Sequence, residues 1–261
     1  MVRVIGIVSA KGGVGKTTVT ANLGAALASE FGRKVVAVDC NLTTSHLGLY
    51  LGVYSPLYTL NNILRNEVSL QQATCEHASG LKVIPASLGI NDLYDIDTNN
   101  LRKILKNTFS QMDIILLDSS PGLGREALIT LQTSEELIFV TTPHIAPIVD
   151  ITKTRQLATR MHKKPIGIVL NRVKNQRYEL KTEEIEQLTN LPVIATIPED
   201  ENAIKSTNSK VPLVSMYPNS LGSRAFFKLA ADLVGEKYYY KPGLIERIVN
   251  IFKRNRANLI N

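Results

Sequence analysis

Cysteine is scarce in this chain of 261 residues, where Cys40 and Cys75 are the only two. Two thiols build no disulfide framework and supply only half of a four-cysteine metal site, so both are expected to be ordinary thiols in a reducing cytosol. Histidine is also thin: His46, His77, His144 and His162 are scattered singly rather than at metal-ligand spacing. Long apolar runs are missing. None reaches the roughly 18 residues that a membrane-spanning helix needs. The apolar start from Val4 to Val8 ends at Lys11 without the layout of a signal peptide. A soluble, cytoplasmic protein is the expectation. No Pro- or Gly-rich linker precedes Gly235, and there is no internal repeat or low-complexity tract.

What is present is the composition of an ordinary globular domain. With 44% hydrophobic and 20% charged residues, the chain has enough apolar side chain to bury a core, which excludes disorder and collagen. Short runs rich in Val, Ile and Leu alternate with amphipathic stretches of helical length, the layout of βα units stacked around a parallel sheet. Strands are expected over 2–8, 34–38, 81–84, 113–117, 136–140, 166–170 and 193–196. Helices are expected over 16–30, 99–110, 125–133, 147–161, 182–189 and 220–234. One domain thus spans residues 1–234, followed by a linker over 235–243 and a terminal helix over 244–256.

Directly after the first expected strand comes Ser9-Ala10-Lys11-Gly12-Gly13-Val14-Gly15-Lys16-Thr17-Thr18, followed by a strong helix. A strand, a glycine-rich turn and a helix N-terminus make the context of a phosphate-binding loop. The glycines let consecutive backbone N–H groups turn inward around a polyphosphate. Lys16 is placed to reach the outer phosphates and the Thr17 hydroxyl to ligate Mg²⁺. A glycine-rich turn without a ligand is the bland alternative, and the lysine at the end of the turn argues against it. The common loop pattern has Gly six residues before that lysine, where this chain has Ala10, and it does not require the second lysine present here as Lys11.

These residues resemble the deviant phosphate loop of the MinD/ParA family of dimerising ATPases, and within it the MinD branch. The resemblance extends to Val35-Val36-Ala37-Val38-Asp39, similar to the strand leading into the first switch. It also takes in Ile114-Ile115-Leu116-Leu117-Asp118-Ser119-Ser120-Pro121-Gly122, similar to the Walker B strand and second switch. Asn171-Arg172 and Ile197-Pro198-Glu199-Asp200 resemble the family's adenine-binding segments, so Asn171, Arg172, Pro198 and Glu199 join the nucleotide-binding set with Lys11 to Thr18. The resemblance implies a three-layer α/β/α P-loop NTPase fold with a mostly parallel central sheet. It also implies that Lys11 reaches the phosphates of the opposite subunit in an ATP-bound homodimer.

Hydrolysis of a nucleoside triphosphate asks for charge neutralisation, a magnesium ion and a positioned water. Lys16, Thr17, Asp39 and Asp118 meet the first two needs, with Thr17, Asp39 and Asp118 as the metal-holding group. The resemblance implies a water-positioning aspartate where this chain has Asn41. A carboxamide bonds a water but accepts no proton, so ATP turnover is expected to be slow. Lys11, Lys16 and Asn41 form the expected catalytic set.

The net charge of +7 is uneven. Six basic residues (Lys237, Lys241, Arg247, Lys253, Arg254, Arg256) stand against two acidic ones (Glu236, Glu246) within 234–261. At 100° per residue Leu244, Ile245, Ile248, Val249, Ile251 and Phe252 share one half of a helix, while Glu246, Arg247, Asn250, Lys253 and Arg254 share the other. This helix suits the surface of an anionic membrane. A helix packed on its own domain or against a partner protein are the alternatives, and similarity to the family's C-terminal targeting helix favours the membrane. The expected protein is a MinD-like, ATP-dependent dimerising switch, cytoplasmic and peripheral on the inner face of the cell membrane. It would position a machine such as the division apparatus through an unidentified activating or cargo protein. A ParA-like DNA-partitioning ATPase, with Arg172, Lys174, Arg177 and Lys181 as a basic surface, is the main competitor. An ATP-binding scaffold without hydrolysis is another, whereas an iron–sulfur carrier would need paired cysteines that Cys40 and Cys75 do not match.

Overall fold

A computed structural model describes residues 2–88 and 101–240, so the terminal helix expected over 244–256 and the start of the helix expected at 99 lie outside the described residues. Among the described residues the elements run β1 (Arg3–Val8), α1 (Lys16–Ser29), β2 (Val35–Asp39), α2 (Leu47–Tyr50), α3 (Leu60–Leu64), β3 (Cys75–Glu76), β4 (Lys82–Ile84), α4 (Leu101–Thr108) and β5 (Ile114–Asp118). There follow α5 (Arg125–Thr133), β6 (Glu136–Thr141), α6 (Ile145–Arg160), β7 (Lys164–Val173), α7 (Thr182–Thr189), β8 (Val193–Pro198), α8 (Glu201–Ser209), α9 (Leu213–Met216) and α10 (Leu221–Val234). All seven expected strands form. The eighth, β3, is two residues long and pairs antiparallel with β4.

The strand order is β3-β4-β2-β5-β1-β6-β7-β8, parallel throughout except at the β3 edge. Alternation along the buried strands divides the core between two faces. Ile5, Ile7, Val35, Ala37, Ile114 and Leu116 meet α1 and α10 on one side. Val4, Val36, Val38, Ile115 and Leu117 meet Leu60, Leu64, Leu101, Leu105 and Ile129 on the other. Farther along the sheet, Leu137, Phe139, Ile168 and Leu170 pack against Ile148, Ile151 and Ile185 of α6 and α7. The result is a three-layer α/β/α fold. Gly24 lets α1 lie close on the sheet, because a Cβ there would sit 3.0 Å from Leu81 and 3.4 Å from Leu116.

This order sends the chain from β1 outward to β2 on one side and later to β6 on the other. Loops after β1, β2 and β5 therefore gather at one edge, where open α/β sheets bind ligands. Beyond α10 the chain does not run free over its described part. Gly235 ends the helix with φ 71°, and residues 236–240 fold back along α10. Tyr238 stacks on Phe227 with ring centroids 5.3 Å apart, and Arg224 lies 3.5 Å over the Tyr240 ring.

Candidate functional site

The phosphate loop hangs between β1 and α1, and its backbone is set by glycine. Gly15, the residue before α1, has φ 96°, a conformation that costs an L side chain roughly 1–2 kcal/mol. Space forbids a side chain there as well, since a Cβ would lie 2.1 Å from Asn171 Nδ2. That amide donates to the Val14 carbonyl at 2.8 Å, so buried Asn171 at the end of β7 pins the loop from across the sheet. Lys16 is buried. Its ammonium donates to Ser9 Oγ at 2.8 Å, and the Ser9 hydroxyl donates to the Lys11 carbonyl at 2.7 Å. Burial pushes the Lys16 ammonium below its ordinary range, and the Asp118 carboxylate partly counters this.

Asp39 and Asp118 end adjacent strands in register, which places two buried carboxylates side by side. Asp118 accepts from the Thr17 hydroxyl at 2.7 Å and the Thr20 hydroxyl at 3.0 Å. Burial first, and then the charge of Asp39, push Asp118 up to about 7, against the opposing effect of these hydroxyls and Lys16. Two carboxylates this close, with one buried lysine nearby, form a site whose charge a divalent cation would balance. The donor set of Thr17 hydroxyl and Asp118 carboxylate fits Mg²⁺, a hard cation that takes oxygen ligands.

Asp39 has a second task. Its Oδ2 accepts from the Ser45 hydroxyl at 2.7 Å and from the N–H groups of His46 and Leu47 at 3.2 and 3.1 Å, while Oδ1 accepts from the Asn41 N–H at 3.0 Å. Both oxygens thus fold the loop 41–47 and fix the start of α2. Burial raises the Asp39 carboxyl above its usual range despite these donors. Asn41 closes the same turn, its Nδ2 donating to the Thr44 carbonyl at 2.7 Å and its Oδ1 accepting from the Thr44 hydroxyl at 3.1 Å.

Two cavities open at this edge of the sheet. One, of about 280 Å³, is lined by Gly12, Gly13, Gly15, Lys16, Thr17, Thr18, Asn41, Thr44, His46, Tyr50, Ser119, Pro121 and Arg172. The other, of about 290 Å³, is lined by Thr18, Tyr50, Asn171, Arg172, Ile197, Pro198, Glu199, Asp200 and residues of α8, α9 and α10. Thr18, Tyr50 and Arg172 line both, so the cavities meet, one at the glycine loop and the other beside Ile197 and Phe226. The arrangement suits a ligand with a polyanionic end and a flat end.

The sequence-predicted residues therefore converge, with two qualifications. Lys11 is exposed and its ammonium has no partner among the described residues, so it stands outside the cleft that Lys16 serves. The membrane group Leu244, Ile245, Arg247, Ile248, Val249, Ile251, Phe252, Lys253 and Arg254 lies outside the described residues. Sequence reasoning missed Tyr50, Thr207, Asn208 and Leu213 on the cavity walls, because they come from short elements with no motif of their own. Asp200, quoted in the Ile197–Asp200 segment but left out of the site set, accepts from the Asn202 N–H at 2.9 Å as the cap of α8 and from the Gly222 N–H at 3.2 Å, a cap hidden in the sequence because residues 201–209 read as loop.

Comparison with known proteins adds three relatives. The CobQ/CobB/MinD/ParA nucleotide binding domain matches residues 5–213. An uncharacterised ATP-binding protein of Methanocaldococcus jannaschii is 36% identical over 234 residues, covering 90% of this chain and 88% of its own. The crystal structure of the cell division ATPase MinD from Pyrococcus furiosus has a TM-score of 0.86 at 36% identity, covering 90% of this chain and 99% of that one. The septum site-determining protein MinD from Pyrococcus horikoshii, complexed with Mg-ADP, gives 0.85 at 35% identity, over 89% and 96% of the two chains.

Proposed function

This chain belongs to the CobQ/CobB/MinD/ParA nucleotide-binding family, and from that premise we propose that it is a MinD-like, ATP-dependent dimerising switch that acts at the membrane. The observation that carries the reading is the continuous cleft formed by the two cavities, with Lys16 and the Thr17–Asp118 pair at its polyanion end. The triphosphate of ATP fits the cavity at the glycine loop and its adenosine the cavity bounded by Asn171, Arg172, Pro198 and Glu199. Thr17 and Asp118 would hold Mg²⁺, which supplies positive charge against the phosphate oxygens. Asp39 supports them by shaping the loop that carries Asn41.

Lys16 neutralises charge on the outer phosphates, and its low proton affinity when the cleft is empty is relieved by the incoming anion. Lys11, exposed and without a partner among the described residues, would reach a second copy. Asn41 holds a water without taking its proton, so hydrolysis is slow. The segment over 244–256, with its amphipathic sequence pattern, would attach the dimer to anionic lipid on the inner face of the cell membrane, where an activating or cargo protein would read its state. The DNA-partitioning alternative is weaker: Arg172 lines the cleft, and Lys174 pairs with Glu199 at 3.0 Å, which spends two of its four basic residues.

Calorimetry with Mg-ATP tests the site. Wild-type protein should bind, and Lys16→Ala, which keeps the loop's N–H groups but loses the cation, should lose that binding. Undiminished affinity in the variant would overturn the placement of the phosphates.

A further inference from the structure

We propose that Tyr50 packs against the nucleoside of the bound nucleotide and couples occupancy of that half of the cleft to the loop 41–47. The inference rests on the nucleotide reading above and deepens it. Three residues line both cavities. Thr18 belongs to α1 and Arg172 to β7, both parts of the fixed scaffold, whereas Tyr50 closes the short helix α2. Its side chain is half-buried and its hydroxyl has no hydrogen-bond partner among the described residues. The side chain packs partly against the core and presents the rest of its surface at the junction of the two cavities.

The route from that ring to the loop is short and rigid. The Tyr50 N–H donates to the His46 carbonyl at 3.0 Å, and the N–H groups of His46 and Leu47 donate to Asp39. One helical turn therefore joins the ring to the carboxylate that folds the loop. Beyond α2 the chain is tied to the opposite wall of the cleft. Lys210, the residue capping α8 with φ 59°, holds its ammonium 4.1 Å from the centre of the Tyr54 ring. α2 is thus held at one end by Asp39 and at the other by the end of α8, with Tyr50 facing the ligand between them. A polyphosphate alone fills the cavity at the glycine loop and meets Tyr50 only at its edge, whereas a nucleotide fills both and lies across the junction where Tyr50 stands.

The test compares Mg-ADP with inorganic tripolyphosphate on wild-type protein, Tyr50→Ala and Tyr50→Phe. Affinity is read by calorimetry, and exchange of the His46 and Leu47 amide protons by NMR. Losing a ring stacked on a base weakens binding by about tenfold. Tyr50→Ala should lose about that much affinity for Mg-ADP and much less for tripolyphosphate, which meets the ring only at its edge, and Tyr50→Phe should match wild type. In wild type, Mg-ADP should slow exchange of the two amides more than tripolyphosphate does, and in Tyr50→Ala the difference should vanish. Unchanged Mg-ADP affinity in Tyr50→Ala, an equal loss for both ligands, or equal slowing by both in wild type would overturn the inference while leaving the nucleotide site standing. Wild-type protein that bound neither ligand would overturn the nucleotide reading and this inference with it.

Discussion

Two aspartates at the ends of β2 and β5 carry an electrostatic cost that the nucleotide-free protein bears alone. Asp118 is pushed up to about 7, well above the ordinary carboxylate range, by burial and by Asp39. A carboxyl with a raised folded-state pKa binds its proton more tightly in the folded chain than in the unfolded one. Its ionisation therefore destabilises the fold progressively as pH rises from about 4 to about 7, by up to ~1.4 kcal/mol per pH unit for one group. Asp118→Asn should flatten most of that slope in urea unfolding measured without nucleotide. A slope unchanged by the substitution would show that Asp118 is already ionised across that range. Asn41 makes the opposite case, a residue whose lack of charge matters. At saturating Mg-ATP, Asn41→Asp should raise phosphate release by about 10²-fold through a restored acceptor near the water. An unchanged rate would place the limit elsewhere in the cycle.

Elements were legible in the sequence in proportion to their length and periodicity. Among the described residues, seven of the eight strands and six of the seven helices of eight or more residues were visible because buried parallel strands are continuous Val, Ile and Leu runs and helices such as α10 are strongly amphipathic. Helix α6 begins at Ile145, two residues before the expected Pro147, since proline is tolerated in a first turn where its missing N–H has no intrahelical partner. Elements α2, α3 and α9 are four or five residues long, too short to show a period, and β3 is two. Helix α8, Glu-Asn-Ala-Ile-Lys-Ser-Thr-Asn-Ser over 201–209, has a single large apolar residue and reads as loop. The glycine-loop end of the cleft was therefore legible mainly in one contiguous motif. The other end was legible only at Asn171, Arg172, Pro198 and Glu199, because Tyr50 and the α8 residues reach the cavity by tertiary packing alone.

The tail was legible only as a pattern, and its attachment is tested at this scale. Each basic residue near an anionic surface contributes about 1 kcal/mol, and the apolar face adds to it, but ordering a short helix offsets much of the gain. Removing residues 243–261 should leave calorimetric Mg-ATP binding intact and abolish pelleting with anionic vesicles. Continued pelleting would assign the membrane contact to another surface.

At the scale of the whole molecule, the proposed switch would have to carry information from phosphates to a segment beyond residue 240. One weakly bound tail attaches reversibly. Two tails held in one dimer make the second attachment intramolecular and can raise avidity by roughly 10²–10⁴-fold without a new contact. Residues 236–240, strapped to α10 by Tyr238 and Tyr240, tie the tail's starting point to the domain. On the proposed reading, dimerisation would be the step that converts nucleotide occupancy into membrane attachment, and Lys11, exposed and without a partner among the described residues, is the residue through which one copy would sense the phosphates of the other. Sedimentation velocity of the full chain in Mg-ATP and in Mg-ADP, beside Lys11→Ala, measures that step directly. The account predicts a dimer of wild type with Mg-ATP only, and monomers with Mg-ADP and for Lys11→Ala in either nucleotide. The same species in both nucleotides for the wild type, or a Lys11→Ala variant that dimerises normally, would contradict it.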